Sequence, residues 1–255
     1  MTAVLITNDD GISSPGLCEL ARVAMGLGLD VTVAAPRSQS SGASASILGT
    51  HEDGSIRFAP QRLDSLPDAR AFAVDAAPGL IALVAAHGAF GAVPDLVLSG
   101  INRGANVGRA ILHSGTVGAA LTAGVNGARG LAVSLDVGMD PLVEHWSAAA
   151  PLIERVLPLI LDAPTGTVYN LNVPNTVEPC ELREAPLAHF GIVQTTMTAP
   201  GSGEEGGVRL SVADFPADQD PGSDANLLDA GFATITSITS VADAPERVMV
   251  GSRTG

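Results

Sequence analysis

Short, unbroken apolar runs alternate with helix-forming stretches along the chain as far as about Asn175. Ala3–Thr7, Asp30–Ala35, Arg70–Val74, Asp95–Leu98, Gly130–Leu135 and Thr167–Leu171 read as strands. Their apolar positions are continuous rather than alternating, the pattern of strands covered on both faces. Pro15–Leu27 reads as a helix, with Ser13 or Ser14 as N-cap, Pro15 near the first helical position and Gly28 just past the end. Further helices are expected from Pro78 to about His87 and over Thr116–Val125. The longest helical stretch is Pro141–Ile160, with Pro151 and Pro158 as candidate kinks or stops. Strands alternating with helices predict an α/β fold: a Rossmann-like three-layer core with a mostly parallel sheet and right-handed crossovers.

The pattern changes after Asn175, which divides the chain into a core (1–175) and a C-terminal extension (176–255). In the extension, Ala199–Gly207 reads as a loop and Asp214–Asp224 as an acidic, turn-rich segment. Val208–Val212 and the alternating Phe232–Thr239 read as strands. A β-rich appendix of this kind is marginal in isolation and must dock on the core or on another subunit.

Composition narrows the possibilities. Hydrophobic residues make up 46% of the 255 residues but aromatic residues only 3%, so the core must be aliphatic. The formal net charge of −14 argues against nucleic-acid polymers and anionic membranes as partners. It remains compatible with a small phosphorylated substrate, because a bound cation reverses the potential locally. All 13 basic residues are arginine. Cys18 and Cys180 lack the spacing of a disulfide framework or zinc site and read as inert buried thiols. No signal peptide or membrane span is visible, so a soluble cytoplasmic protein is expected.

Four segments carry the candidate chemistry. Thr7-Asn8-Asp9-Asp10-Gly11 follows the first strand. Its two adjacent carboxylates repel each other, and a hard divalent cation such as Mg²⁺ or Mn²⁺ relieves that repulsion. The hydroxyl-rich Ser38–Ser44 follows the second strand and can add an oxygen ligand. Ser99–Gly108 (SGINRGANVG) offers the Asn102 amide oxygen to a metal and the Asn106 amide to phosphate oxygens. His113-Ser114-Gly115-Thr116 opens a helix, where free N–H groups and the helix dipole attract anions and the Ser114 and Thr116 hydroxyls add donors. In an open parallel sheet, ligands bind outside the carboxyl ends of the strands, so these loops can share one site. A hard cation beside an anion cradle fits metal-assisted phosphoryl hydrolysis, with Asp9 or Asp10 able to accept a proton.

TNDDG with SPG, then SSGAS, SGINRGANVG and HSGTVGAALTA, resemble in order and spacing the SurE family of stationary-phase survival proteins, 5′/3′-nucleotidases. NLNVPN (Asn170–Asn175) and SDANLLDAGFATIT (Ser223–Thr236) resemble that family's later signatures. The resemblance implies one divalent ion per subunit held by Asp9, Asp10, Ser41 and Asn102, and phosphate contacts from Asn106, Ser114, Gly115 and Thr116. It also implies a C-terminal extension exchanged between subunits, giving a homodimer or homotetramer held partly by residues near 200–240. Nucleoside 5′- and 3′-monophosphates are the implied substrates, with short polyphosphate as a further class. The family's Gly-Thr-Pro segment reads Asp75-Ala76-Ala77-Pro78-Gly79 here, and the aromatic before Ser-Gly-Thr is His113.

Rival enzymes fit less well. A haloacid-dehalogenase-type phosphatase needs a second aspartate two positions after the first, and usually a lysine. A P-loop enzyme needs Lys-Ser/Thr after its glycines. A dinucleotide enzyme needs GxGxxG where NDDG stands. The rival from another class is a non-catalytic oligomeric protein that binds metal or nucleotide on the same scaffold.

Overall fold

Six parallel strands form the centre of the molecule and place their carboxyl ends along one edge. The computed structural model describes residues 2–39, 42–47, 55–138, 142–189, 193–196, 209–212, 220–239 and 241. The parallel strands are β1 (Ala3–Thr7), β2 (Asp30–Pro36), β4 (Arg70–Val74), β5 (Leu96–Arg103), β6 (Arg129–Asp136) and β7 (Val168–Pro174). Three short strands complete a nine-stranded sheet: β3 (Phe58–Pro60), β8 (Leu182–Glu184) and β11 (Ala233–Ile238). The order is β3-β4-β2-β1-β5-β6-β7-β11-β8. Sequence order runs outward in one direction from β1 through β2 to β4, and in the other from β5 to β7. The crevice between β1 and β5 is therefore the switch point at which α/β sheets bind ligands.

Helices cover both faces. On one lie α1 (Pro15–Gly26) and α4 (Ala150–Asp162), packed on Val4, Ile6, Leu98, Leu131 and Val133. On the other lie α2 (Pro78–Ala85) and α3 (Gly115–Val125), over Leu5, Val97 and Ala34. The local signals explain α1. Ser14 Oγ caps it by accepting from the Leu17 amide, Pro15 occupies the first turn, and Leu17, Leu20, Ala21 and Ala24 bury a stripe of helical spacing. The largest fully buried side chains are all isoleucine or leucine, as the composition requires. Phe58, Phe72 and Phe90 instead gather at the β3–β4 edge, with ring centroids 5.1–5.6 Å apart.

Three expectations are corrected. The helix expected over Pro141–Ile160 is a 3-10 turn at Trp146–Ala149 followed by α4. The Asn175 amide bonds the Val143 carbonyl and the His145 amide, at 2.8 and 2.7 Å, which diverts these groups from a helical ladder. Pro151 lies in the first turn of α4, and Pro158 stands on its exposed face, where water can take the freed carbonyl. Second, β5 does not stop at Leu98; Ser99–Arg103 stay in the strand across a register shift between Ser99 and Asn102. Third, Cys18 and Cys180 are unpaired but half-buried rather than buried.

Part of the C-terminal region builds onto the core sheet: β11 pairs antiparallel with β7, and β8 parallel with β11. The strand expected over Phe232–Thr239 is β11. β9 (Val193–Thr196) and β10 (Arg209–Val212), the latter matching the strand expected at Val208–Val212, form a separate antiparallel pair. The loop Ala199–Gly207 and residues 214–219 of the acidic segment lie outside the described residues; 220–223 form a turn, and Asp224 opens α5 (Asp224–Asp229). No helix among the described residues is long and apolar enough to cross a membrane.

Candidate functional site

The β1 loop is held open by Asn8. Its buried amide nitrogen donates to the Gly11 carbonyl (3.1 Å) and to Ser14 Oγ (2.8 Å), and its oxygen accepts from the Gly11 amide (3.1 Å). Asn8 thus ties the aspartate loop to the cap of α1 and presents Asp9 and Asp10 at the crevice. Asp9 is only 6% exposed. Its Oδ1 accepts a short hydrogen bond from the Thr116 hydroxyl. Burial pushes its carboxyl from the ordinary 3.8 up to about 6; the Thr116 bond pulls it back and the charge of Asp10 adds to the rise. Asp10 is also raised by burial, against its hydrogen bond from the Arg103 amide at 3.1 Å.

The α3 N-terminus stands directly on Asp9. A Cβ at Gly115 would lie 3.0 Å from the Asp9 Cβ and 3.1 Å from its Oδ2, so a side chain there would press on the carboxylate and require it to give by a few tenths of an ångström. Ser114 caps α3, its Oγ accepting from the Val117 amide at 3.1 Å. The Val117 and Gly118 amides are thereby taken, and the Gly115 and Thr116 amides are left as the free donors of that end among the described residues. The Thr116 hydroxyl hydrogen, expected on a phosphate oxygen, is given to Asp9 instead. Further along α3, a Cβ at Gly118 would lie 2.5 Å from the Ser44 backbone, so glycine lets the helix carry the serine-rich loop against it. Ser44 Oγ in turn donates to the Leu112 carbonyl at 2.6 Å.

The β5 loop supplies the opposite wall. Asn102 Nδ2 donates to the Gly104 carbonyl at 2.8 Å, which orients the amide and leaves its oxygen for a ligand. Asn106 is the centre of a buried network. Its Nδ2 donates to Ser134 Oγ, its amide to Asn172 Oδ1, and its carbonyl accepts from both Asn170 and Asn172, each at 2.8 Å. One Asn106 Nδ2 hydrogen is therefore spent on the protein and one remains.

Asp9, Asp10, Asn102, Asn106, Ser114 and His113 line one cavity of about 310 Å³, together with Gln39, Gly42 and Arg103. Ser41 lies outside the described residues, but its neighbour Gly42 is on the cavity wall. Gly115 and Thr116 stand behind Asp9 rather than on the wall. Among the described residues no group of three or more His, Cys, Asp or Glu side chains could hold a metal. The set inferred from sequence is of another composition: two carboxylates, an amide oxygen and a hydroxyl. These are hard oxygen donors of the kind Mg²⁺ and Mn²⁺ take. Asp9, buried beside a second carboxylate, has an unmet electrostatic need that a divalent cation fits.

Sequence reasoning left three structural contributors without a role. Asn170 and Asn172 were visible only as part of a signature. Asp224 is fully buried, and accepts from the Gly108, Ala188 and Ala225 amides at 2.9, 2.8 and 2.8 Å. It anchors the 3-10 segment Gly108–His113, which supplies part of the cavity wall.

Comparison with known proteins places this geometry. Residues 4–197 match the family model described as Survival protein SurE. A protein of Syntrophotalea carbinolica named 5′-nucleotidase SurE is 33% identical over 237 residues, 92% of this chain and 90% of its own. Another 5′-nucleotidase SurE, from Rhizorhabdus wittichii, is 38% identical over 176 residues, 67% of this chain and 66% of its own. The crystal structure of the SurE protein from Aquifex aeolicus superposes with a TM-score of 0.74 at 24% identity, covering 93% of both chains, and shows the same fold.

Proposed function

The chain belongs to the Survival protein SurE family, and on that premise we propose that it is a divalent-metal-dependent phosphatase that hydrolyses nucleoside 5′- and 3′-monophosphates. The observation that carries this reading is the buried Asp9 carboxylate, raised by burial and the Asp10 charge, set against the free N-terminus of α3. Asp9, Asp10, Asn102 and Ser41 would hold one Mg²⁺ or Mn²⁺. When bound, such a cation activates water and neutralises charge on the phosphoryl group.

The protein's own groups do the rest. Thr116 fixes one oxygen of Asp9. Ser114 and the second Asn106 hydrogen, both on the cavity wall, supply donors to one phosphoryl group, and the Gly115 and Thr116 amides add the positive end of α3 from behind Asp9. A cradle with so few donors suits a monophosphate. Asp9 or Asp10 can accept the proton released by the attacking water. Release of phosphate from nucleoside mono- and triphosphates should be measured with Mn²⁺ and with chelator. Turnover of monophosphates that chelation removes is the expected result; triphosphates as much the better substrates, or turnover indifferent to chelation, would overturn it.

We further propose that the β9–β10 pair exchanges between subunits of a homodimer or dimer of dimers. A free two-stranded hairpin is marginal in water, and exchange is a low-cost route to a dimer. Cutting the chain at Asn175 would remove β8 and β11 from the core sheet, so the sharper test deletes residues 190–219. The His189 amide donates to Asp220 Oδ2 at 2.6 Å, so a short linker can join the two ends. Light scattering should find the full chain oligomeric and the deleted chain a folded monomer. An oligomer surviving the deletion would place the interface elsewhere.

A further inference from the structure

The aspartate pair and a divalent cation roughly cancel, yet a phosphate monoester brings up to two further negative charges into a cavity of a chain whose net charge is −14. Among the cavity-lining residues described, Arg103 is the one permanent cation. Its place is fixed at both ends. Its backbone amide donates to Asp10 Oδ2 at 3.1 Å, and its side-chain Nε–H is taken by Glu144. The guanidinium is about half exposed, at the mouth of the cavity. With Nε engaged, the hydrogens on the two terminal nitrogens are the ones left for a ligand, and they belong to the planar fork that matches phosphate oxygens. Ser114 and the start of α3 lie on the Asp9 side of the cavity, whereas Arg103 lies on the Asp10 side.

We infer that Arg103 is a substrate-contact residue whose guanidinium binds the phosphoryl oxygens of a phosphate monoester from the side opposite the α3 N-terminus. The inference rests on the phosphatase reading and adds to it a charged contact on the transferred group. It also predicts a sign for metal binding. Removing a cation next to Asp10 leaves the aspartate pair more negative, so metal should bind as tightly as before or more tightly, while phosphate binds more weakly.

The test is Arg103→Met in the full chain, a change that keeps the backbone amide on Asp10 and the length of the side chain. Calorimetry should titrate Mn²⁺ alone, then inorganic phosphate in saturating Mn²⁺. Turnover should be compared for a nucleoside monophosphate and for p-nitrophenyl phosphate. The expected result is phosphate affinity lower by roughly 10–100-fold, the range for a hydrogen bond to a charged group. Mn²⁺ affinity should be unchanged or higher, and kcat/KM should fall to a similar degree for both esters. Loss confined to the nucleotide, with phosphate binding intact, would overturn the inference by moving the contact to the leaving group. Phosphate and Mn²⁺ affinity falling together would show a structural defect and overturn it too, as would no change. If the wild-type chain bound phosphate but hydrolysed neither ester, the phosphatase reading would fail while the binding arm still judged Arg103.

Discussion

Replacing Asp9 by Asn should abolish hydrolysis and, in the metal-free protein above pH 6, make the fold more stable. The activity loss should exceed about 100-fold, because even the loss of an outer-shell partner at a metal site costs 10–100-fold. The stability gain follows from the raised carboxyl. Between the ordinary 3.8 and about 6, the folded chain holds a proton on Asp9 that the unfolded chain has released. Stability contributed by this group therefore falls as pH rises through that window. Above pH 6 the buried charge costs about 3 kcal/mol at most. Asn keeps an oxygen for the Thr116 hydroxyl and carries no charge. At pH 8 in chelator the variant should melt several degrees above wild type, and at pH 4 the gain should vanish. Saturating Mn²⁺ should then stabilise the wild type but not the variant. Thermal melts at the two pH values, with and without Mn²⁺, decide the matter; near-wild-type turnover, or no gain at pH 8, would sink the assignment.

The fold was legible wherever a local cause shaped it. Continuous apolar runs marked the parallel strands because burial on both faces leaves no alternation to read. Ser14 and Pro15 marked the start of α1 because capping is a backbone requirement met by neighbouring residues. The helix expected at Pro141 was misplaced because Asn175, far along the chain, takes the Val143 and His145 backbone groups. β3 and β8 span three residues each, too short for any period to show. Ser223, which caps α5 by accepting from the Asn226 amide, was a readable start signal that the surrounding acidic turn residues obscured.

The site was legible as a set of loops, less so as a set of roles. Adjacent carboxylates and a Ser-Gly-Thr helix start carry their chemistry in their residue types. Which hydrogen goes where does not follow from type. Thr116 donates to Asp9, the Asn106 Nδ2 is half consumed by Ser134, and the Asn106 backbone amide goes to Asn172, because strands β6 and β7 bring Ser134 and Asn172 alongside. The same holds for Asp224, whose three partners are backbone amides that any residue type could offer.

Asp224 gives the second large effect, and its geometry separates two roles of one carboxylate. Oδ1 accepts from both Ala188 and Ala225, whereas Oδ2 accepts from Gly108 alone. Asp224→Ala would leave the buried Gly108 and Ala188 amides unpaired, at about 1–3 kcal/mol each, and the half-buried Ala225 amide with them. That is a large fraction of the roughly 5–15 kcal/mol that holds a typical domain together, and this variant should express poorly or melt far below wild type. Asp224→Asn is the informative change. The amide oxygen can serve Ala188 and Ala225, but the NH₂ faces the Gly108 amide, donor against donor. The Gly108–His113 segment should then swing away from the cavity while the C-terminal docking persists. The expected phenotype is a loss of about 1–3 kcal/mol in stability, with KM for a nucleoside monophosphate raised about tenfold. Mn²⁺ affinity should be largely preserved, because Asp9, Asp10 and Asn102, three of the four proposed ligands, lie on other loops; the serine-rich loop of the fourth touches the moving segment through Ser44 and the Leu112 carbonyl. Denaturant unfolding, Mn²⁺ titration and steady-state kinetics on the one variant would check all three. Weakened Mn²⁺ binding alongside the KM change would show that the wall and the metal site move as one body, contrary to this account.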